Sequence, residues 1–155
     1  EDLRKYFEIP GFGNVVTYIQ SGNVLFDADA RKEHQLRKEV EDQLMVKLGY
    51  QVPAIIRSLA EIRRTIDSNP FGEMVQGTKS KLYVSFLSDV PAPGVKETLE
   101  GYSNDYEQVK IVDREVYLLT ESYGTTKFTN AHLEKKSGLI STVRNWNTVN
   151  KIVLL

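Results

Sequence analysis

Cysteine is absent from the 155 residues, so the chain has no disulfide framework, no thiol nucleophile and no cysteine-held zinc or iron–sulfur centre. Histidine is nearly as scarce. His34 and His132 are the only two and lie far apart in sequence, so no metal site is expected. No apolar run approaches the roughly 20 residues of a membrane span, and no apolar signal-peptide core is visible. No Gly-x-Ser-x-Gly elbow occurs, and no cofactor is expected.

What remains is ordinary globular composition, 41% hydrophobic and 26% charged, which excludes disorder and fibrous repeats. At this length a fold buries roughly 70% of the surface its unfolded chain exposes, enough for one good core or two small ones. The expectation is a soluble cytoplasmic domain. Net charge is −1, from 20 basic and 21 acidic residues, but the distribution is uneven. Residues 89–121 carry eight acids against Lys96, Lys110 and Arg114. Residues 122–155 reverse this, with Lys127, Lys135, Lys136, Arg144 and Lys151 against Glu134 alone. Such asymmetry bears on partners rather than on fold.

Periodicity divides the chain into short elements. Leu3 and Phe7 lie four apart on one helical face, and Pro10-Gly11 ends that turn. Two β-rich runs, residues 15–20 and 24–26, flank Ser21-Gly22-Asn23, residue types that accept the positive φ of a tight hairpin. Over residues 31–48, Leu36, Val40, Leu44 and Leu48 recur as one amphipathic stripe, and Gly49 supplies a left-handed stop. The acids of that helix, Glu39, Glu41 and Asp42, alternate with Arg37 and Lys38 as a solvated face. Residues 52–56 read as a buried strand. Ser58 and Glu61 then have capping-box spacing before a helix that ends at Asn69-Pro70. Residues 71–80 lack any period and predict a connector.

The pattern then restarts. Leu82, Val84 and Phe86 alternate with Lys81, Tyr83 and Ser85 as a strand. Pro91-Ala92-Pro93-Gly94 leads into a helix with Val95, Leu99 and Tyr102 on one side. Residues 108–112 and 115–119 predict a hairpin turning at Asp113-Arg114, and residues 130–136 a short helix closed by Gly138. Trp146, Val149, Ile152 and Val153 mark a C-terminal helix. The second half reads strand, helix, hairpin, helix, helix. The first reads helix, hairpin, helix, strand, helix and lacks only an opening strand. The expected fold class is therefore α+β, with two similar ferredoxin-like halves, each a small antiparallel sheet packed on one face by helices. Residues 1–72 form the first half and 73–155 the second, together one compact unit.

The stretches Thr17-Tyr18-Ile19-Gln20-Ser21-Gly22-Asn23-Val24, Asn69-Pro70-Phe71 and 125–136, followed by 141–149 and Lys151, resemble the bacterial "domain of unknown function 1697" family. The resemblance runs from Tyr18 to Lys151. It implies a cytoplasmic bacterial protein of two similar α+β halves, and it brings no activity, cofactor or catalytic residue. Members of that family open with a strand and a glycine-rich Arg-Gly-Ile-Asn-Val-Gly-Gly loop, and nothing in this sequence corresponds to either. Ser137 stands where the family more often has an apolar residue.

Three constellations have a chemical reading. Ser21-Gly22-Asn23 has the residue types of an exposed nucleophile or anion-binding turn, against a plain hairpin. His132 and Glu134 are two apart, so on a helix they point away from each other, and the Cys-x-x-Cys of a zinc deaminase is missing. Residues 125–151 combine basic residues, asparagines and one tryptophan. Arg144, Asn145 and Asn147 are donors for phosphate or carboxylate oxygens, Trp146 offers a stacking surface, and the last helix offers free N–H groups at its start. The competing reading makes the asparagines caps and Trp146 core. The expected ligand-binding residues are Ser21, Asn23, Lys127, Arg144, Asn145, Asn147 and Lys151. The expected partner is a phosphate-bearing small molecule or nucleic acid. The alternatives are an enzyme whose active site includes the missing loop facing Ser21, Asn23 and Arg144, and a homo-oligomerisation module without ligand.

Overall fold

The computed structural model describes residues 3–18, 22–29, 31–72 and 79–155. Contacts divide the chain into a unit of residues 1–57, grouped with Leu155, and a unit of residues 58–154. The architecture is α+β, with two small antiparallel sheets and five α-helices among the described residues. Most of the connector expected at residues 71–80 lies outside the described residues.

The first unit opens with a 3-10 turn, Leu3–Phe7, followed by β1 (Phe12–Tyr18), β2 (Asn23–Ala28) and α1 (Glu33–Leu48). β1 and β2 pair antiparallel, with an irregularity between Gly13 and Val16 where Asn14 takes a φ of 48°. Phe12 stacks on Phe26 at 4.3 Å. Arg31 lies over the Phe12 ring and donates to Asp29, Glu39 and the Pro10 carbonyl, which fastens the start of α1 to the base of the hairpin. Those ion-paired hydrogen bonds hold the Arg31 guanidinium above its ordinary pKa, Glu39 contributing most. Within the apolar stripe, Val40 and Leu44 are buried, while Leu36 and Leu48 are half-buried.

The strand expected at residues 52–56 does not form. Val52, Ala54 and Ile56 do pack against the core of Phe7, Val40 and Leu44. A strand also needs a neighbour to take its backbone groups. Among the described residues none lies beside it, and the Ala54 N–H donates instead to Glu41 Oε1 at 3.0 Å. Glu39 and Glu41 are thus bonded within the unit, which corrects the reading of α1's acids as a solvated face.

The second unit begins with α2 (Leu59–Asp67), capped reciprocally by Ser58 and Glu61. β3 (Lys81–Leu87), α3 (Pro93–Glu100), β4 (Glu107–Val112) and β5 (Glu115–Thr120) follow. A 3-10 turn at Tyr123–Thr125 leads to α4 (Asn130–Ser137), β6 (Ser141–Asn145) and α5 (Trp146–Ile152). The sheet order is β4-β5-β3-β6, antiparallel throughout. The sequence pattern gives no sign of β6, whose polar Ser141, Thr142 and Asn145 suit a sheet edge better than a core. Tyr102, expected on α3, falls beyond its end and is exposed.

One face of this sheet buries Leu87, Val109, Ile111, Val116 and Leu118 against Leu99 of α3, Phe128, and Leu133 of α4. On the other face the Tyr117 hydroxyl donates to the Thr65 carbonyl of α2 at 2.6 Å, and α2 meets α5. Helices therefore cover both faces, where the sequence reading put them on one. The cause is visible in β5, whose residues are all buried, so neither face can be left to water.

Candidate anion-binding site

β6 runs directly into α5, and this junction carries Arg144, Asn145, Asn147 and Lys151. Arg144 is in register with Val84 and so lies on the Tyr117 side of the sheet. Its Nη1 donates to Thr142 Oγ1 and to the Val143 carbonyl, both at 2.7 Å. Burial lowers its pKa, yet an arginine remains cationic at neutral pH. Asn145 is the N-cap of α5, its Oδ1 accepting from the Thr148 N–H at 2.8 Å. That oxygen is engaged, and the amide NH2 is the part of Asn145 that can meet a ligand. Asn147 and Lys151 are exposed and four apart, hence on one helix face. No aspartate or glutamate follows Glu134 in the sequence, and the Glu134 carboxylate accepts from the Ser141 N–H.

The other expected residues are placed differently. Lys127 is exposed, and its backbone N–H donates to Glu107 Oε1 at 3.3 Å. The next residue, Phe128, enters the core on the α3 and α4 side, opposite to the face that carries Arg144. Asn23 lies in the first unit, where its Nδ2 donates to the Tyr18 carbonyl at 3.4 Å and closes the hairpin. Ser21 lies outside the described residues.

Glu107 has no warning in the sequence. Its side chain is buried at the edge of the sheet, where Oε2 accepts from Thr126 at 2.6 Å and from Thr120 at 3.3 Å. Two threonines some distance away are too common a pattern to flag it. Tyr83 and Tyr123 form a ring pair at 4.9 Å, and burial, then Tyr83, raise the Tyr123 phenol. His132 sits between the Tyr102 and Phe128 rings with its Nε2 enclosed and without a hydrogen-bond partner. No cluster of side chains suited to a metal occurs among the described residues. A shallow depression beside β4 is lined by Glu100, Asn104, Asp105 and Lys110, a lining too acidic for phosphate.

The family model described as "Protein of unknown function (DUF1697)" matches residues 1–117. The chain belongs to this family. The matched stretch of the DUF1697 family takes in the β1–β2 hairpin and Asn69-Pro70-Phe71, and it ends within β5. Its description names no activity, ligand or cofactor. No curated protein and no solved structure matches the chain. No described helix is long and apolar enough to cross a membrane.

Proposed function

We propose that this DUF1697 protein is a noncatalytic binding module for a phosphate-bearing ligand, a nucleotide or a nucleic acid strand. The observation that carries the reading is the acid-free stretch of residues 135–155, which contains Lys135 and Lys136 at the end of α4 and Arg144 and Lys151 on β6 and α5. A guanidinium engages two oxygens at once, and its partial desolvation strengthens each contact. Arg144, the Asn145 amide, Asn147 and Lys151 are the proposed contacts, and Lys127 is not among them because the adjoining Phe128 enters the core on the opposite side of the sheet. Titration with nucleotides and short single-stranded oligonucleotides at low ionic strength is the test. Binding should weaken as salt rises, and Arg144→Ala should weaken it about tenfold, the loss of one charge-assisted contact. No binding to wild type at low salt would sink the reading.

For the fold we infer two copies of one ferredoxin-like plan, divided in sequence at 1–72 and 73–155, in a bacterial cytoplasmic protein. Several correspondences support the duplication. α1 and α4 each end at a left-handed glycine, Gly49 with φ 82° and Gly138 with φ 72°. Each helix then sends a carboxylate to a backbone N–H of the segment that follows, Glu41 to Ala54 and Glu134 to Ser141. A side-chain cap next starts the closing helix, Ser58 for α2 and Asn145 for α5, and these two helices meet. The β1–β2 hairpin corresponds to β4–β5, and the opening 3-10 turn to α3. In the second half the order strand, helix, two strands, helix, strand with sheet order β4-β5-β3-β6 supports the reading of a ferredoxin-like unit.

A further inference from the structure

Cations near the β6–α5 junction have counterparts across the rest of the same sheet face. Resting on the phosphate-binding reading above, we propose that the ligand is a single nucleic acid strand, which crosses from α5 onto α2 and is held there by Arg63 and Arg64. Register places Lys110, Tyr117, Val84 and Arg144 in one row across the second sheet, on one face. Lys110 stands on the edge strand β4 and Arg144 on the edge strand β6. α2 covers this face through the Tyr117–Thr65 bond, and α5 packs beside it.

α2 buries Ile62 and Thr65, so Arg63 and Arg64 point away from the sheet, and both are exposed. Neither arginine is ion-paired or hydrogen-bonded through its side chain among the described residues, and the same holds for Lys151. Of the acids on α2, Glu61 is already engaged, by the Ser58 N–H at 2.8 Å and by Arg114 at 3.2 Å. Asp67, the exposed acid that remains, stands at the far end of the helix. Lys110 is exposed too, its ammonium 5.3 Å from the centre of the Phe71 ring, a few residues beyond α2. The opposite layer is balanced, since Glu97, Glu100 and Glu134 match Lys96, Lys135 and Lys136 on α3 and α4. A phosphate chain is therefore drawn to the side of α2 and α5.

Distance decides between one phosphate and many. Neighbouring strands lie about 4.8 Å apart, so the three steps from Lys110 to Arg144 span about 14 Å. Packed helices stand about 8–10 Å apart, which sets the scale from α5 to α2. A phosphate group is smaller than either span, so a mononucleotide meets the cations of one helix only. A strand carries a phosphate about every 3.4 Å or more, and several of them reach both helices and Lys110 together. Trp146, half-buried at the start of α5, offers a ring on which one base stacks, a contact that tolerates any sequence. A duplex keeps its bases away from such a ring, which favours a single strand.

The probe is a fluorescein-labelled oligothymidylate of about 15 nucleotides, bound to the full chain and followed by anisotropy, with thymidine monophosphate titrated in parallel. The double variant Arg63→Gln, Arg64→Gln should weaken the oligonucleotide at least about tenfold and flatten its log–log salt slope by about 1.4, two phosphate contacts. Monophosphate binding should be unchanged in that variant, and so should urea unfolding, because both side chains are exposed and unbonded. Arg63→Lys with Arg64→Lys should restore most of the affinity, and Lys96→Gln on the opposite layer should leave it as in wild type. The oligonucleotide should also quench Trp146 fluorescence. Wild-type affinity and salt slope in the glutamine variant would overturn the proposal, and so would equal loss in Lys96→Gln. An oligonucleotide that leaves Trp146 unquenched and binds no tighter than inorganic polyphosphate of equal phosphate number would assign the surface to a bare phosphate chain. Equal affinity for monophosphate and oligonucleotide removes the strand and leaves the α5 site standing. No binding of either at low salt removes both.

Discussion

Replacing Glu107 tests whether a buried carboxylate holds the loop that delivers Lys127 and Phe128. Its Oε2 accepts from Thr126 at 2.6 Å and Thr120 at 3.3 Å, and its Oε1 from the Lys127 N–H at 3.3 Å. Thr126 Oγ1 in turn accepts from the Phe128 N–H at 3.1 Å. Glu107→Ala removes the acceptor of three donors, two of them on buried threonines, of which Thr120 retains the Ser122 carbonyl at 3.4 Å. With about 1.5–3 kcal/mol for the short charged bond and about 1 for each longer one, less the carboxylate's desolvation, the net loss is about 3 kcal/mol. Glu107→Gln should cost only about 1 kcal/mol, because the threonine hydroxyls can rotate to accept while the amide oxygen serves Lys127. Urea unfolding followed by the fluorescence of Trp146, the single tryptophan, gives both numbers. Hydrogen exchange at Lys127 and Phe128 should rise in the alanine variant before global unfolding. An alanine variant that loses less than about 1 kcal/mol, or a glutamine variant as damaging as alanine, would refute this account of the cluster.

Truncating Leu133, 1% exposed in a closed cluster, should cost about 3–5 kcal/mol in urea unfolding. Leu44→Ala, in the more open first core, should cost about 2–3 kcal/mol, and a loss under half a kilocalorie would mean its stripe faces solvent. Burial, and then the Glu115 charge, raise the Tyr117 phenol above its ordinary 10. The neutral phenol is thus favoured by the folded state, so its stabilisation is complete below the unfolded pKa and lost as pH climbs beyond about 10. Tyr117→Phe should therefore cost about 1 kcal/mol near pH 8, for the bond to Thr65, and show a shallower alkaline decline than wild type.

Much of the fold was legible because local signals coincide with the elements they end. The Ser58–Glu61 box, the Gly49 and Gly138 stops and the stripe of α1 each specify a helix without help from distant residues. Two of the failures involve strands whose fate is decided elsewhere. Residues 52–56 have strand chemistry and no paired neighbour among the described residues, whereas β6 has weak strand chemistry and a firm neighbour in β3. At the candidate site, Arg144 and Asn145 were readable as a cation and a cap. That Phe128, next to Lys127, and Arg144 belong to opposite sides of the sheet follows from tertiary packing and register, which no residue spacing reveals.

The place of β3 also sets the order in which the second unit can assemble during synthesis. β3 leaves the ribosome before either strand that flanks it, and its edge facing β6 waits longest. The Ser88–Ile140 bond at the end of that pairing joins residues 52 apart in sequence. Until residues 141–152 have emerged, Leu82, Val84 and Phe86 have an incomplete sheet to pack in, and the closing helix α5 is still unformed. Long-range closure of this kind slows folding and prolongs the exposure of an apolar strand. A nascent chain arrested before residue 141 is thus the form most in need of a chaperone, and protease sensitivity at β3 should drop sharply once α5 clears the exit tunnel.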